Sequence, residues 1–156
     1  MEDRKPQGYL ARYGAKLIDR GYRIVPIKLG EKYPPFDDWQ KLRVTQKQLR
    51  EMLGGGYAAK RDKRDFKYDG SRDGVGIITG DVLLADLDIL DEGVSAAMRE
   101  FVEMMFGDAP ARVGMAPKMG LMFRAEAQFP KVQSPFYVDP ASPDVKHKVE
   151  ILANGQ

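Results

Sequence analysis

The chain reads as a mixed-sheet α/β (α+β) domain with flanking helices. Three observations predict it. Apolar residues recur at helical spacing over 9–20 and again from Val94 to Met105. Short runs rich in β-branched residues lie between these stretches, bounded by glycine, proline and aspartate. The whole is 156 residues long, which suits a single domain spanning 1–156.

Taken in order, residues 1–7 are charged and carry no periodicity, and read as a disordered lead-in. Leu10, Tyr13, Leu17 and Ile18 then predict a helix over 9–20, ended by Gly21. Residues 22–27 form a short strand, and a turn-rich loop runs on to Trp39, which serves as a packing anchor. Thr45 and Gln48 have capping-box spacing, so a helix is expected to Leu53, stopped by Gly54-Gly55-Gly56. Residues 54–73 are polar and charged without periodicity, and read as a mobile basic loop. Val75–Ile78 and Val82–Leu90, joined by Thr79-Gly80-Asp81, predict a β-hairpin. A core-facing helix follows, with Val94, Ala97, Met98, Phe101, Val102 and Met105 in one stripe, Asp91 or Ser95 as its cap and Gly107 after its end. Strands are expected over 111–115, 120–124 and 148–152.

Composition narrows the chemistry. There is no cysteine and one histidine, His147, which reads as an exposed loop residue; thiolate sites and multi-histidine zinc sites are excluded. A metal held here would be held by carboxylates, which suits Mg2+ or Mn2+. The net charge of +2 neither demands nor forbids nucleic acid. No stretch is apolar enough to span a membrane, and the N-terminus lacks the apolar core of a signal peptide, so a cytoplasmic protein is expected.

The main chemical feature is Leu83-Leu84-Ala85-Asp86-Leu87-Asp88-Ile89. Residues two apart on a strand share a face, so Asp86 and Asp88 point together while Leu83, Ala85, Leu87 and Ile89 point to a core. Paired carboxylates repel unless a cation lies between them. Spacing alone leaves two readings open: a divalent-metal site, or acids facing water near a strand end. Asp-x-Asp also occurs in sugar-nucleotide transferases.

Several segments together resemble the bifunctional DNA primase/polymerase family of the archaeo-eukaryotic primase superfamily. Residues 15–27 look like its opening helix and strand, and Lys32, Pro34 and Trp39 fall where the family has those residue types. Gly74-Val75-Gly76-Ile77-Ile78-Thr79-Gly80 resembles its glycine-rich hairpin, and Asp86-Leu87-Asp88 its first motif. Residues 112–118 and Val149-Glu150-Ile151-Leu152 look like a phage and plasmid branch.

The resemblance implies a primase-polymerase fold and template-dependent nucleotidyl transfer. It makes Asp86, Asp88 and Glu150 the catalytic metal ligands, and DNA, nucleoside triphosphates and a helicase domain or protein the partners. As a lone feature, Glu150 reads instead as a solvated strand residue. The family's second motif usually has a histidine; here residues 118–124 have none, and Arg112 and Lys118 are the nucleotide-binding candidates, with ordinary surface charge as the other reading. The sequence also stops just after the third motif, where a C-terminally truncated domain is expected. Lys60, Arg61, Lys63 and Arg64, with Tyr57, Phe66 and Tyr68 interleaved, are candidates for gripping single-stranded DNA; the other reading is a solvated loop. The alternatives are a non-catalytic nucleotide- or DNA-binding module and an Asp-x-Asp sugar-nucleotide transferase.

Overall fold

The computed structural model describes residues 7–140 and 142–154. The expected lead-in falls almost wholly on residues 1–6, outside the described residues. The chain is mixed α and β and divides into two compact units, residues 1–78 and 79–156.

In the first unit, α1 (Tyr9–Asp19) and α2 (Gln46–Leu53) form where the apolar spacing places them. Thr45 caps α2 with the full capping box: its hydroxyl accepts from the Gln48 backbone, and the Gln48 side chain accepts from the Thr45 backbone. Leu10, Ile24, Leu49 and Met52 meet Phe36, Val44 and Tyr68 in one buried core. Trp39 is partly buried against it, as expected of an anchor.

Residues 54–73 are not a loop. Tyr57–Arg61 (β2) and Arg64–Tyr68 (β3) pair as an antiparallel hairpin. Its turn residues Asp62 and Lys63 both have positive φ, 52° and 63°, the conformation of a two-residue hairpin turn. Asp37 holds this turn, its carboxylate accepting from the Asp62 and Lys63 backbone N–H groups at 3.2 and 3.1 Å. Tyr57, Ala59, Phe66 and Tyr68 face the core, so the polar composition concealed a real alternation.

The glycine-rich segment also departs from expectation. Its first strand, Gly74–Ile77 (β4), does not pair with the strand after it. It runs antiparallel to Ile24–Ile27 (β1). The two runs joined by Thr79-Gly80-Asp81 thus belong to different sheets, and the turn marks the boundary between the units.

The second unit is an antiparallel sheet. Val82–Asp88 (β5) lies between Met119–Arg124 (β7) and Ser142–Leu152 (β10). Ala111–Val113 (β6) pairs outside β7; Val132–Gln133 (β8) and Tyr137–Asp139 (β9) pair with β10. The helix α3 (Glu92–Phe106) links β5 to β6, capped by Asp91, whose side chain accepts from the Val94 N–H at 2.8 Å. With β7 between β5 and β6, this is a split β-α-β topology.

Ala85, Leu87 and Ile89 of β5 pack with Val102 of α3 and Leu121 of β7. This is the alternation expected of the Asp-x-Asp strand. The expected core stripe of α3 is only partly buried, however. Met98 and Val102 pack on the sheet, while Val94, Phe101 and Met105 are more than half exposed. Ser95 is buried instead and donates to the Pro117 carbonyl at 2.8 Å, so it is a packing residue and not the cap. His147 is likewise buried rather than in an exposed loop; it lies on β10, and its Nδ1 accepts from the Leu90 N–H at 3.1 Å.

A candidate nucleotide and metal site on the polar face of the second sheet

The strand register builds the site. Antiparallel partners lie side by side and project to the same face. Asp86 pairs with Gly120 on one side and Glu150 on the other, Gly120 pairs with Arg112, and Glu150 with Gln133. One row across four strands therefore reads Arg112, Gly120, Asp86, Glu150. The next row places Asp88 opposite Lys148. Lys118 reaches Asp88 from just before β7, its Nζ 2.6 Å from the carboxylate. The five second-unit candidates, Asp86, Asp88, Arg112, Lys118 and Glu150, thus share one face, opposite the apolar core.

Gly120 keeps this row tight. A Cβ there would stand 2.8 Å from the end of the Leu84 side chain, which would have to shift to admit any larger residue beside β5.

The charges are not evenly matched. Glu150 is buried, which sets aside the solvated-strand reading, and it accepts from Lys131 and Lys148, both at 2.8 Å. These two bonds hold its carboxyl below the usual glutamate range. Asp86 has no such partner. Burial raises its pKa, the neighbouring Asp88 and Glu150 raise it further, and Arg112 and Lys148 offset this only in part. Lys148 is held above its usual range by its bond to Glu150.

Among the described residues, no three histidine, cysteine, aspartate or glutamate side chains stand close enough together to hold a metal ion as they are. Lysines hold Asp88 and Glu150: Lys118 the first, Lys131 and Lys148 the second. The three carboxylates on one face are oxygen donors of the kind hard divalent cations take, and burial together with Asp88 and Glu150 raises the Asp86 pKa, a repulsion that a cation would relieve. Mg2+ or Mn2+ there would compete with Lys118 for Asp88 and with Lys131 and Lys148 for Glu150.

Lys60, Arg61, Lys63 and Arg64 belong to the hairpin of the first unit, and the structure separates them. Arg61 and Arg64 pair directly across the hairpin. They line a cleft of about 560 Å3 with Lys28, Phe66, Lys67 and Tyr68. Lys60 and Lys63 line a different cleft, and Lys60 lies 3.7 Å from Asp65. Buried Asp73 anchors the wall of the first cleft, accepting from the Tyr68 hydroxyl and the Leu29 N–H. Burial, with that bond, pushes the Tyr68 phenol far up.

The sequence reading missed Lys131, Lys148 and Gly120. Lys148 was recoverable, because Lys-x-Glu on a strand shares a face. Lys131 lies outside any periodic segment, and nothing in the sequence signals its bond to Glu150. Comparison with family models, with curated proteins and with solved structures returned no match.

Proposed function

We propose that this chain carries the catalytic site of a template-dependent nucleotidyltransferase of the primase-polymerase type. The supporting observation is the row that sets Asp86 beside Glu150, with Asp88, Arg112 and Lys118 on the same face. Three carboxylates for cations and several bases for phosphates are what transfer of a nucleoside triphosphate requires. Bound Mg2+ or Mn2+ would lower the pKa of the attacking hydroxyl and neutralise the triphosphate. Asp86, Asp88 and Glu150 would hold the ions. Lys118 and Lys148, released from the carboxylates, and Arg112 would hold the phosphates in the role of the absent second-motif histidine. In the first unit, the hairpin cleft, where Arg61 and Arg64 present paired positive charge beside Phe66, is the surface suited to single-stranded DNA.

One observation favours a second reading, a non-catalytic nucleotide- or DNA-binding module: Asp88 and Glu150 already have lysine partners.

Manganese calorimetry with and without a nucleoside triphosphate, paired with primer extension on a DNA template, tests the proposal. The wild type should bind Mn2+, more tightly with triphosphate, and extend the primer. Asp86→Ala/Asp88→Ala should lose both while keeping its fold. DNA binding without metal-dependent incorporation selects the binding module. Untemplated use of a nucleotide sugar selects a sugar-nucleotide transferase.

A further inference from the structure

The polar face of the second sheet extends beyond Glu150. Lys148 and Lys146 lie two and four residues before it on β10, so alternation puts both on its face. Phe136 sits between β8 and β9. Its ring centroid lies 5.7 Å from the Lys146 Nζ and 5.9 Å from the Lys148 Nζ. The same Lys148 nitrogen donates to Glu150 at 2.8 Å. One ammonium group therefore joins the aromatic ring to the carboxylate that faces Asp86.

Phe136 belongs to neither core cluster and is 55 % exposed. So much apolar surface left in water forgoes the stabilisation of burial, and the lysines make up only a little of it through the ring quadrupole. They hold the ring in place beside the sheet with much of its surface open. An open aromatic ring beside phosphate-binding cations is a stacking platform for a nucleobase. The spacing suits a nucleotide. Phe136 immediately precedes β9, which borders β10, and β10 borders β5, so its backbone lies about two strand spacings, roughly 10 Å, from the strand of Asp86 and Asp88. A ribose and its phosphate chain cover that interval.

We propose that Phe136 is the base platform of the nucleotide site. The base of a nucleoside triphosphate stacks on the open side of the ring, Lys146 and Lys148 flank the sugar and phosphates, and the phosphate chain runs toward Asp86 and Asp88. This rests on the nucleotidyl-transfer reading only for the choice of a nucleoside triphosphate as ligand.

The test is calorimetry on the whole chain with Mg2+ and two probes, ATP and inorganic tripolyphosphate, which has no base. Phe136 is exposed, so replacing it leaves the core intact. Wild type should bind ATP about tenfold more tightly than tripolyphosphate. Phe136→Ala should erase that difference by weakening ATP alone, and Phe136→Trp should restore it. Equal weakening of both probes would mean that the ring merely positions the lysines, and would overturn the proposal. Unchanged ATP binding in Phe136→Ala, or no ATP binding by wild type, would overturn it too. ATP binding of the expected pattern without primer extension would sink the transfer reading and leave the platform standing.

Discussion

At the scale of single residues, Asp86 and Glu150 sit side by side and titrate in opposite senses. The Glu150 carboxyl lies below its usual range because two lysines bind its ionised form. Its contribution to stability is present above the ordinary glutamate range and is lost as pH falls through its lowered value. Asp86 lies above its usual range, so the folded state favours its protonated form. Its contribution is present below the ordinary aspartate range and is lost as pH rises through the raised value. Two substitutions separate these effects in thermal melts with chelator present. At pH 7, Asp86→Asn should melt a few degrees above wild type, on the order of 2–6 °C, with the gap closing toward pH 3. Glu150→Gln should be destabilised by about 1–3 kcal/mol at pH 7, because two lysines lose an ionised acceptor. That deficit should shrink in acid. A stabilised Glu150→Gln or a destabilised Asp86→Asn would refute this assignment of charge. The Asp-x-Asp pair and its inward-facing partners were legible in the sequence, because alternation on a strand is a local property. The lysine partners of Glu150 were not all legible, because Lys131 reaches it only through the folding of a segment without periodicity.

At the scale of elements, helices were read well and strand pairing poorly. Each helix carries its own evidence within a few residues: Thr45 and Gln48 close a capping box, and Asp91 caps α3. Pairing is a relation between distant segments. Val75–Ile78 and Val82–Leu90 flank a tight turn and read as partners, yet β4 pairs with β1, and β5 with β7 and β10. The β2–β3 hairpin escaped notice because Asp62-Lys63 lacks the glycine that marks most such turns, and arginines continue its inward face past Ala59 and Phe66. Recognising it reassigns the basic residues. Like charges directly across a hairpin destabilise it unless an anion lies between them, and Arg61 faces Arg64. Arg61→Ala/Arg64→Ala should therefore weaken binding of a single-stranded oligonucleotide by tenfold or more, as roughly 1 kcal/mol per phosphate contact implies, and flatten its salt dependence. Lys60→Ala/Lys63→Ala, on the other cleft, should change both much less. Fluorescence anisotropy titrations at two salt concentrations measure the difference. Equal losses in the two variants would return the DNA contact to the whole hairpin.

At the scale of the whole molecule, the mixed α and β class was legible in the alternation of helical and strand periods. The division into two units was not, because the short turn at Thr79-Gly80-Asp81 has none of the composition of a linker. The split β-α-β topology of the second unit hosts many chemistries and by itself selects none, so a functional reading rests on the residues of its polar face. No helix among the described residues is long and apolar enough to cross a membrane. The outer side of α3 has a consequence of a different kind. Met104 is 73 % exposed and Met105 56 %, with Met115 at 62 % beyond the helix, whereas Met52 is fully buried. Sulfoxide formation follows access to the thioether. Mild peroxide should thus modify Met104, Met105 and Met115 well before Met52, as peptide mass spectrometry would record; early modification of Met52 would contradict its burial. Each sulfoxide turns part of an apolar surface polar, so the helix that supports the Asp86 strand from behind also carries a record of the chain's exposure to oxidants.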